Sequence, residues 1–112
     1  MTVEAPAGPI RIALCQVNPT VGALSANLEL LLTWYRRALA AGAQLVVFPE
    51  LVITGYPPSD LLYEGGFVVA NQKILQTLAR QVTTPAIVGY VRADGEKLFN
   101  SAALLRDGKI IG

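Results

Sequence analysis

The sequence predicts an α/β fold, in which strands alternate with helices. Short, apolar and β-branched segments such as 45–48 are typical of strands, and segments with helical spacing of leucines separate them. Two Asp-Gly pairs near the end of the sequence indicate tight turns between antiparallel strands. Because 53% of the residues are hydrophobic, the chain has ample side chain to bury and does not fit a disordered protein.

Residues 1–9, MTVEAPAGP, are expected to form a flexible leader before a single domain over residues 10–112. The leader carries an acidic residue and prolines where a signal peptide has basic and apolar regions. The first strand is predicted at 10–17, where isoleucine and leucine alternate with Arg11 and Ala13. The segment NPTVG then turns the chain.

A helix is predicted from about Ser25, and Gly42 stands where such a helix ends. Ser25 or Asn27 is expected to cap its N-terminus. The arginines 36 and 37 fall outside its apolar face. That face consists of Leu28, Leu31, Leu32, Tyr35 and Leu39.

The next segment, AQLVVFPE at 43–50, is predicted to be a strand covered on both faces, because its apolar run has no polar alternation. A loop rich in glycine and proline follows it, and a second helix is predicted at about 67–81.

PAIVGYV at 85–91 is predicted to be a strand, and RADGEK a hairpin turn into LFNSAALLR at 98–106. The second Asp-Gly pair, 107–108, then opens KIIG. Since a hairpin normally joins strands of matched length, this short last strand predicts that the chain is the N-terminal piece of a larger α/β domain.

The composition excludes several classes of function. Net charge is +1, and basic and acidic residues are mixed, so no nucleic-acid footprint is expected. The apolar runs are too short to cross a membrane. One cysteine and no targeting segment fit a cytoplasmic protein. The sequence has no histidine and no phosphate-binding glycine motif, so Ser-His catalysis, most zinc sites and a nucleotide site are not expected, and we predict no metal site.

Glu50 is the main candidate for chemistry, because sites in open α/β sheets form at the carboxyl ends of strands. It is either a solvated loop acid or a general base among apolar neighbours. Tyr56 either anchors its loop or lines a pocket beside Glu50. Cys15, the one thiol, is expected to be a small buried side chain.

Four stretches give the sequence a resemblance to the nitrilase, or carbon–nitrogen hydrolase, superfamily. They are RIALCQVNPTVGALSANL, AQLVVFPELVITGYPPSDLL, PAIVGYV and LFNSAALLRDGKIIG, and they cover nearly all of the chain from Ile10 onward. Within the superfamily, CQVNPTVG together with TGYPPSDLL most resembles the N-terminal glutaminase domains of glutamine-dependent NAD+ synthetases.

The resemblance implies that the chain is the N-terminal portion of a nitrilase-like αββα sandwich with a Glu-Lys-Cys catalytic triad. Glu50 matches the triad glutamate, the general base. Tyr56 matches the family's loop next to that glutamate and is a candidate to line the glutamine pocket. Neither Lys109 nor Cys15 matches the triad lysine or cysteine, so residues 1–112 alone are expected to be inactive.

It also implies partners: glutamine as substrate, a C-terminal synthetase domain and a homo-oligomer. ATP and Mg2+ are implied for the synthetase domain, and no cofactor for this segment. Two alternatives remain at this point: a free-standing amidase or nitrilase, and a non-catalytic fragment.

Overall fold

The computed structural model describes residues 8–112. Seven of the nine residues of the predicted leader lie outside this range, and Gly8 and Pro9 are exposed. The elements are β1 (Ile12–Leu14), α1 (Leu24–Ala40), β2 (Leu45–Val47), a 3-10 helix (Ser59–Tyr63), α2 (Phe67–Arg80), β3 (Ala86–Asp94), β4 (Lys97–Arg106) and β5 (Lys109–Ile110).

The five strands form one sheet in the order β1-β2-β3-β4-β5. The first three strands are parallel, and β4 and β5 are added antiparallel. Right-handed crossovers that always step to the next strand in the same direction place both connecting helices on one face of the sheet. The predicted α/β class is therefore confirmed, and the described residues form one helical layer and one sheet layer of the predicted sandwich.

The core lies between the two helices and the sheet. Leu31 of α1 and Leu78 of α2 are fully buried against Val46, Val88 and Leu105 of the sheet. Burying a side chain of this size stabilises a fold by about 1.5–3 kcal/mol. The packing of α1 and α2 on the sheet therefore stabilises the position of the strands.

The other face of the sheet is apolar but uncovered in the described residues. Ile12 is 46% exposed and Leu14 is 73% exposed. Strand register places them in one row with half-buried side chains on the next strands. We call this surface the open face; its residues are Ile12, Leu14, Leu45, Val47, Ile87 and Leu104. The predicted burial of β2 on both faces is thus wrong for residues 8–112, because both helices pack on the same side.

Some predicted boundaries differ from the structure. The first strand pairs over only three residues, Ile12–Leu14, because its neighbour β2 is equally short. Helix α1 begins after Ala23 without a side-chain cap, so the predicted cap by Ser25 or Asn27 is wrong. Asn27 instead makes hydrogen bonds to other segments, described below. Helix α2 matches its prediction within one residue.

Both predicted hairpin turns are present. Gly95 and Glu96 form a two-residue loop between β3 and β4. Asp107 and Gly108 both have positive φ, 52° and 79°, as the tightest Asp-Gly hairpin turn requires. Neither α1, α2 nor the 3-10 helix has the length and apolarity needed to cross a membrane.

Candidate active site

Glu50 stands at the carboxyl end of the parallel part of the sheet. Strand β2 ends at Val47, and the amide N–H of the next residue, Phe48, still donates to the carbonyl of Ile87 at 2.9 Å. Pro49 then ends the pairing, since it has no N–H to donate. The side chain of Glu50 is exposed at this edge, where open α/β sheets place their sites.

The backbone around Glu50 crosses directly over β3 at Gly89. A Cβ atom built on Gly89 would lie 2.5 Å from the amide nitrogen of Leu51 and 2.6 Å from the carbonyl oxygen of Pro49. Real Cβ atoms do not approach backbone atoms so closely, so this crossing requires glycine at position 89. Leu51 has a φ of 48°, in the left-handed region, and turns the chain just after the crossing.

Because of this crossing, the Glu50 carboxylate reaches β4. The side-chain amide nitrogen of Asn100 donates a hydrogen bond to Oε1 of Glu50. Strands β2 and β4 are two positions apart in the sheet, which is about 10 Å between strand axes. A residue that follows β2 and stayed in line with that strand would not meet Asn100.

Glu50 and Asn100 border a pocket of about 270 Å³. Its floor includes Gly89 and the open-face residue Ile87, and Phe48 and Ser101 also contribute to its wall. The pocket therefore opens on the same side of the sheet as the open face. A carboxylate, an amide and an apolar wall converge there, which is an arrangement suited to proton transfer beside a bound polar ligand.

Hydrogen bonds from the buried side chain of Asn27 hold the loop that follows Glu50. This side chain is 2% exposed; its amide nitrogen donates to the carbonyls of Thr20 at 2.8 Å and Ile53 at 2.9 Å. Its Oδ1 accepts the amide N–H of Thr20 at 2.9 Å. The N–H of Gly22 also donates to the carbonyl of Thr54 at 2.9 Å. The loops before α1 and after Glu50 are thus joined by a fully satisfied buried network.

Tyr56 lies in this second loop, and its side chain is 64% exposed. Among the described residues it does not line the Glu50 pocket. Its role in substrate binding stays a prediction, and so does the role of Glu50 as a general base.

Cys15 and Lys109 lie elsewhere. Cys15 is buried in the core, and burial raises the pKa of its thiol. Lys109 pairs with Arg106, six residues from Asn100 along β4, or roughly 20 Å. Neither residue lines the Glu50 pocket. Residues 8–112 also contain no group of three His, Cys, Asp or Glu side chains that could hold a metal ion.

Sequence reasoning missed two residues of this site, Asn100 and Gly89. A polar residue within LFNSAALL and a glycine within PAIVGYV are both signals, since an interior strand glycine often marks a close approach of another backbone. Their relation to Glu50 depends on strand register, which the sequence does not display.

Comparison with known proteins finds a matching family model and similar curated proteins. The family model described as carbon-nitrogen hydrolase matches residues 11–112. A glutamine-dependent NAD(+) synthetase from Thermotoga maritima is 39% identical over 106 residues, which are 92% of this chain and 18% of that protein. The chain thus spans less than a fifth of this relative's length.

Solved structures give the same picture. A glutamine-dependent NAD(+) synthetase from Cytophaga hutchinsonii matches with a TM-score of 0.87 and 25% identity, over 92% of this chain and 18% of that one. An amidase from Nesterenkonia sp. matches with a TM-score of 0.78 and 29% identity, over 92% of this chain and 41% of that one. The described fold corresponds to the N-terminal part of these nitrilase-like structures.

Proposed function

The chain belongs to the carbon–nitrogen hydrolase family, and we propose that it is part of the glutaminase domain of a glutamine-dependent NAD+ synthetase. The observation that carries the proposal is the Glu50 carboxylate, which lies at the edge of a pocket and accepts a hydrogen bond from Asn100. The identity of 39% to a curated synthetase supports this choice within the family.

In the proposed reaction Glu50 takes the proton from a cysteine thiol. The thiolate attacks the side-chain amide carbon of glutamine, and a lysine stabilises the negative charge that forms on the oxygen. The C–N bond breaks, and ammonia leaves with the proton that Glu50 held. Water, deprotonated by Glu50, then attacks the thioester and releases glutamate and the thiol.

The cysteine and lysine of this triad are proposed to lie beyond Gly112, in a longer protein. Cys15 is enclosed in the core and Lys109 is remote from Glu50. The open face gives the geometric basis: the Glu50 pocket shares Ile87 with it. A second sheet that packs on the open face would bring new side chains to within reach of Glu50.

The ammonia is proposed to serve a C-terminal synthetase domain, which uses ATP and Mg2+ to convert deamido-NAD+ to NAD+. The longer protein is proposed to be cytoplasmic and homo-oligomeric, and Tyr56 is proposed to contribute to glutamine binding in it.

A free-standing amidase is the second candidate, because the Nesterenkonia amidase has a similar fold. Its TM-score of 0.78 is below the 0.87 of the Cytophaga synthetase. Hydrolysis of simple aliphatic amides with no glutamine hydrolysis would favour the amidase.

The first experiment is an immunoblot of cell extract with an antibody against the Tyr56 loop. We expect one band several times larger than 11.9 kDa, the mass of residues 1–112. A band only at 11.9 kDa would contradict the proposal, since the described residues offer Glu50 no cysteine to activate. Steady ammonia release from glutamine by purified residues 1–112 would contradict the assignment of the triad.

The second experiment replaces the base in the longer protein. Glu50→Gln keeps the shape but cannot accept a proton, and we expect glutamine turnover to fall by about 10²- to 10⁴-fold. Glu64→Gln, which changes an exposed carboxylate after the 3-10 helix, is the matched control and should keep wild-type turnover. Retained activity in Glu50→Gln would make Glu50 a solvated loop acid.

A further inference from the structure

We propose that Asn100 is a positioning residue for the reaction, which holds the Glu50 carboxylate in the orientation that accepts a proton. The inference rests on the proposed function, in which Glu50 is the general base. It deepens that function by assigning a role to a residue on β4, outside the Glu-Lys-Cys triad.

The hydrogen bond from Asn100 gives the two carboxylate oxygens of Glu50 different roles. Asn100 donates to Oε1, which leaves Oε2 with its lone pairs available for a thiol or a water. A glutamate side chain has several rotatable bonds, and Glu50 is exposed. A single directional hydrogen bond therefore restricts the Glu50 side chain to the rotamers that face the pocket.

The chemical type of the partner also fits this role. A Lys or Arg at position 100 would favour the ionised carboxylate so strongly that it would make a weaker base. A neutral amide orients the carboxylate with a smaller electrostatic effect. It also donates without accepting when its NH₂ group faces the carboxylate.

The backbone of Asn100 is connected to helix α2 through strand β3. It lies directly opposite Val91 of β3 in the antiparallel ladder. The side chain of Asn71 on α2 makes two hydrogen bonds to the backbone of Val91. It donates to the Val91 carbonyl at 2.6 Å and accepts the Val91 N–H at 3.2 Å. Strand β2 pairs with β3 only as far as Ile87, so Asn71 supplies the partners that β2 no longer offers. The helix thus fixes β3, and β3 fixes the strand that carries Asn100.

The test measures kcat and KM for glutamine hydrolysis in the longer protein with two substitutions. Asn100→Asp keeps the shape but replaces the donor by a carboxylate that repels Glu50, whereas Asn100→Leu keeps the size and removes the donor. We expect kcat to fall by about 10- to 100-fold in the leucine variant and further in the aspartate variant, with KM changed by less than about threefold. Lys97→Leu, three residues earlier on β4 and exposed, is the control and should leave both constants unchanged.

The order of the two variants separates positioning from packing. If Asn100 only filled space, Asn100→Asp would keep near-wild-type kcat, and the leucine variant alone would lose activity; this result would overturn the proposal. A second measurement uses the Glu50→Asp variant as the background, because the shorter aspartate side chain at position 50 does not reach Asn100. In that background Asn100→Leu should lower kcat by less than about twofold, and a loss as large as in the wild type would overturn the proposal.

Different variants test the proposed function and the positioning role. Activity retained in Glu50→Gln rejects Glu50 as the base, whatever Asn100 does. Activity lost in Glu50→Gln but unchanged in both Asn100 variants rejects only the positioning role.

Discussion

Gly89 determines where Glu50 can stand, although it has no side chain to contribute. The amide nitrogen of Leu51 and the carbonyl oxygen of Pro49 occupy the space that a Cβ at position 89 would need. The crossing of β3 is what carries Glu50 from the end of β2 to Asn100. Gly89 therefore determines the relative position of the Glu50 and Asn100 side chains.

Gly89→Ala should consequently affect both stability and activity. The new methyl group must displace the backbone at 49–51, and we expect a loss of about 1–3 kcal/mol in the free energy of unfolding. In the longer protein kcat should fall as well, because Glu50 moves away from Asn100. Urea unfolding and glutamine turnover measure the two effects.

Gly65→Ala is the matched control, since a Cβ there meets no atom within 4 Å. It should leave unfolding and turnover unchanged. Wild-type turnover in Gly89→Ala would show that the position of Glu50 does not depend on this crossing.

Cys15 illustrates the opposite case, a reactive residue type without a reactive environment. Burial raises the pKa of its thiol, so at pH 8 the folded protein holds a smaller fraction of thiolate than a free cysteine does. We therefore expect slow alkylation by iodoacetamide at pH 8, and faster alkylation as the pH is raised. Peptide mass spectrometry follows position 15, and the same protein unfolded in urea is the control. Equal rates in the folded and unfolded protein would contradict burial of the thiol.

At the scale of elements, local pattern predicted the helices better than the strands. Helix α2 was predicted at 67–81 and is found at Phe67–Arg80, because the spacing of its leucines is a property of the segment itself. Strand β1 was predicted at 10–17 and pairs only over Ile12–Leu14. The length of a strand depends on how far its neighbour extends, and that neighbour lies over thirty residues away in the chain.

The same distinction applies to the site. Glu50 was identifiable, because an acidic residue that ends an apolar strand is a local signal. Its contact with Asn100 was not, since it depends on the Val91–Asn100 pairing and on the backbone crossing at Gly89. The predicted capping role of Asn27 was wrong for a similar reason. Its best partners, at Thr20 and Ile53, come together only in the folded chain.

Asn27 should therefore be important for joining the two loops and not for starting α1. Asn27→Leu leaves the buried carbonyl of Ile53 without this donor, and we expect a loss of roughly 3 kcal/mol in the free energy of unfolding. Asn18→Leu, at an exposed position in the same first loop, is the control and should change it by less than about 0.5 kcal/mol. A similar small loss in both variants would show that the Asn27 network does not stabilise the fold.

At the scale of the whole molecule, the main feature is that residues 8–112 cover one side of the sheet and leave the other open. The covered side is packed by α1 and α2, and the open face exposes large side chains such as Ile12 and Leu14. Only 15% of the residues are charged, and few charges interrupt this surface. Apolar surfaces of this kind normally mark a place where another part of a protein packs.

Leu14→Glu gives opposite predictions for the short and the longer protein. In residues 1–112 alone, a charge at a position that is 73% exposed should raise solubility, because it interrupts the apolar surface. In the longer protein the same charge would be buried under the second sheet, and we expect a loss of at least about 2 kcal/mol in the free energy of unfolding. Thr33→Glu adds the same charge to the exposed side of α1 and is the control for both. If Leu14→Glu leaves the longer protein as stable as Thr33→Glu does, the open face is not covered there, and Glu50 must receive its cysteine and lysine by another route.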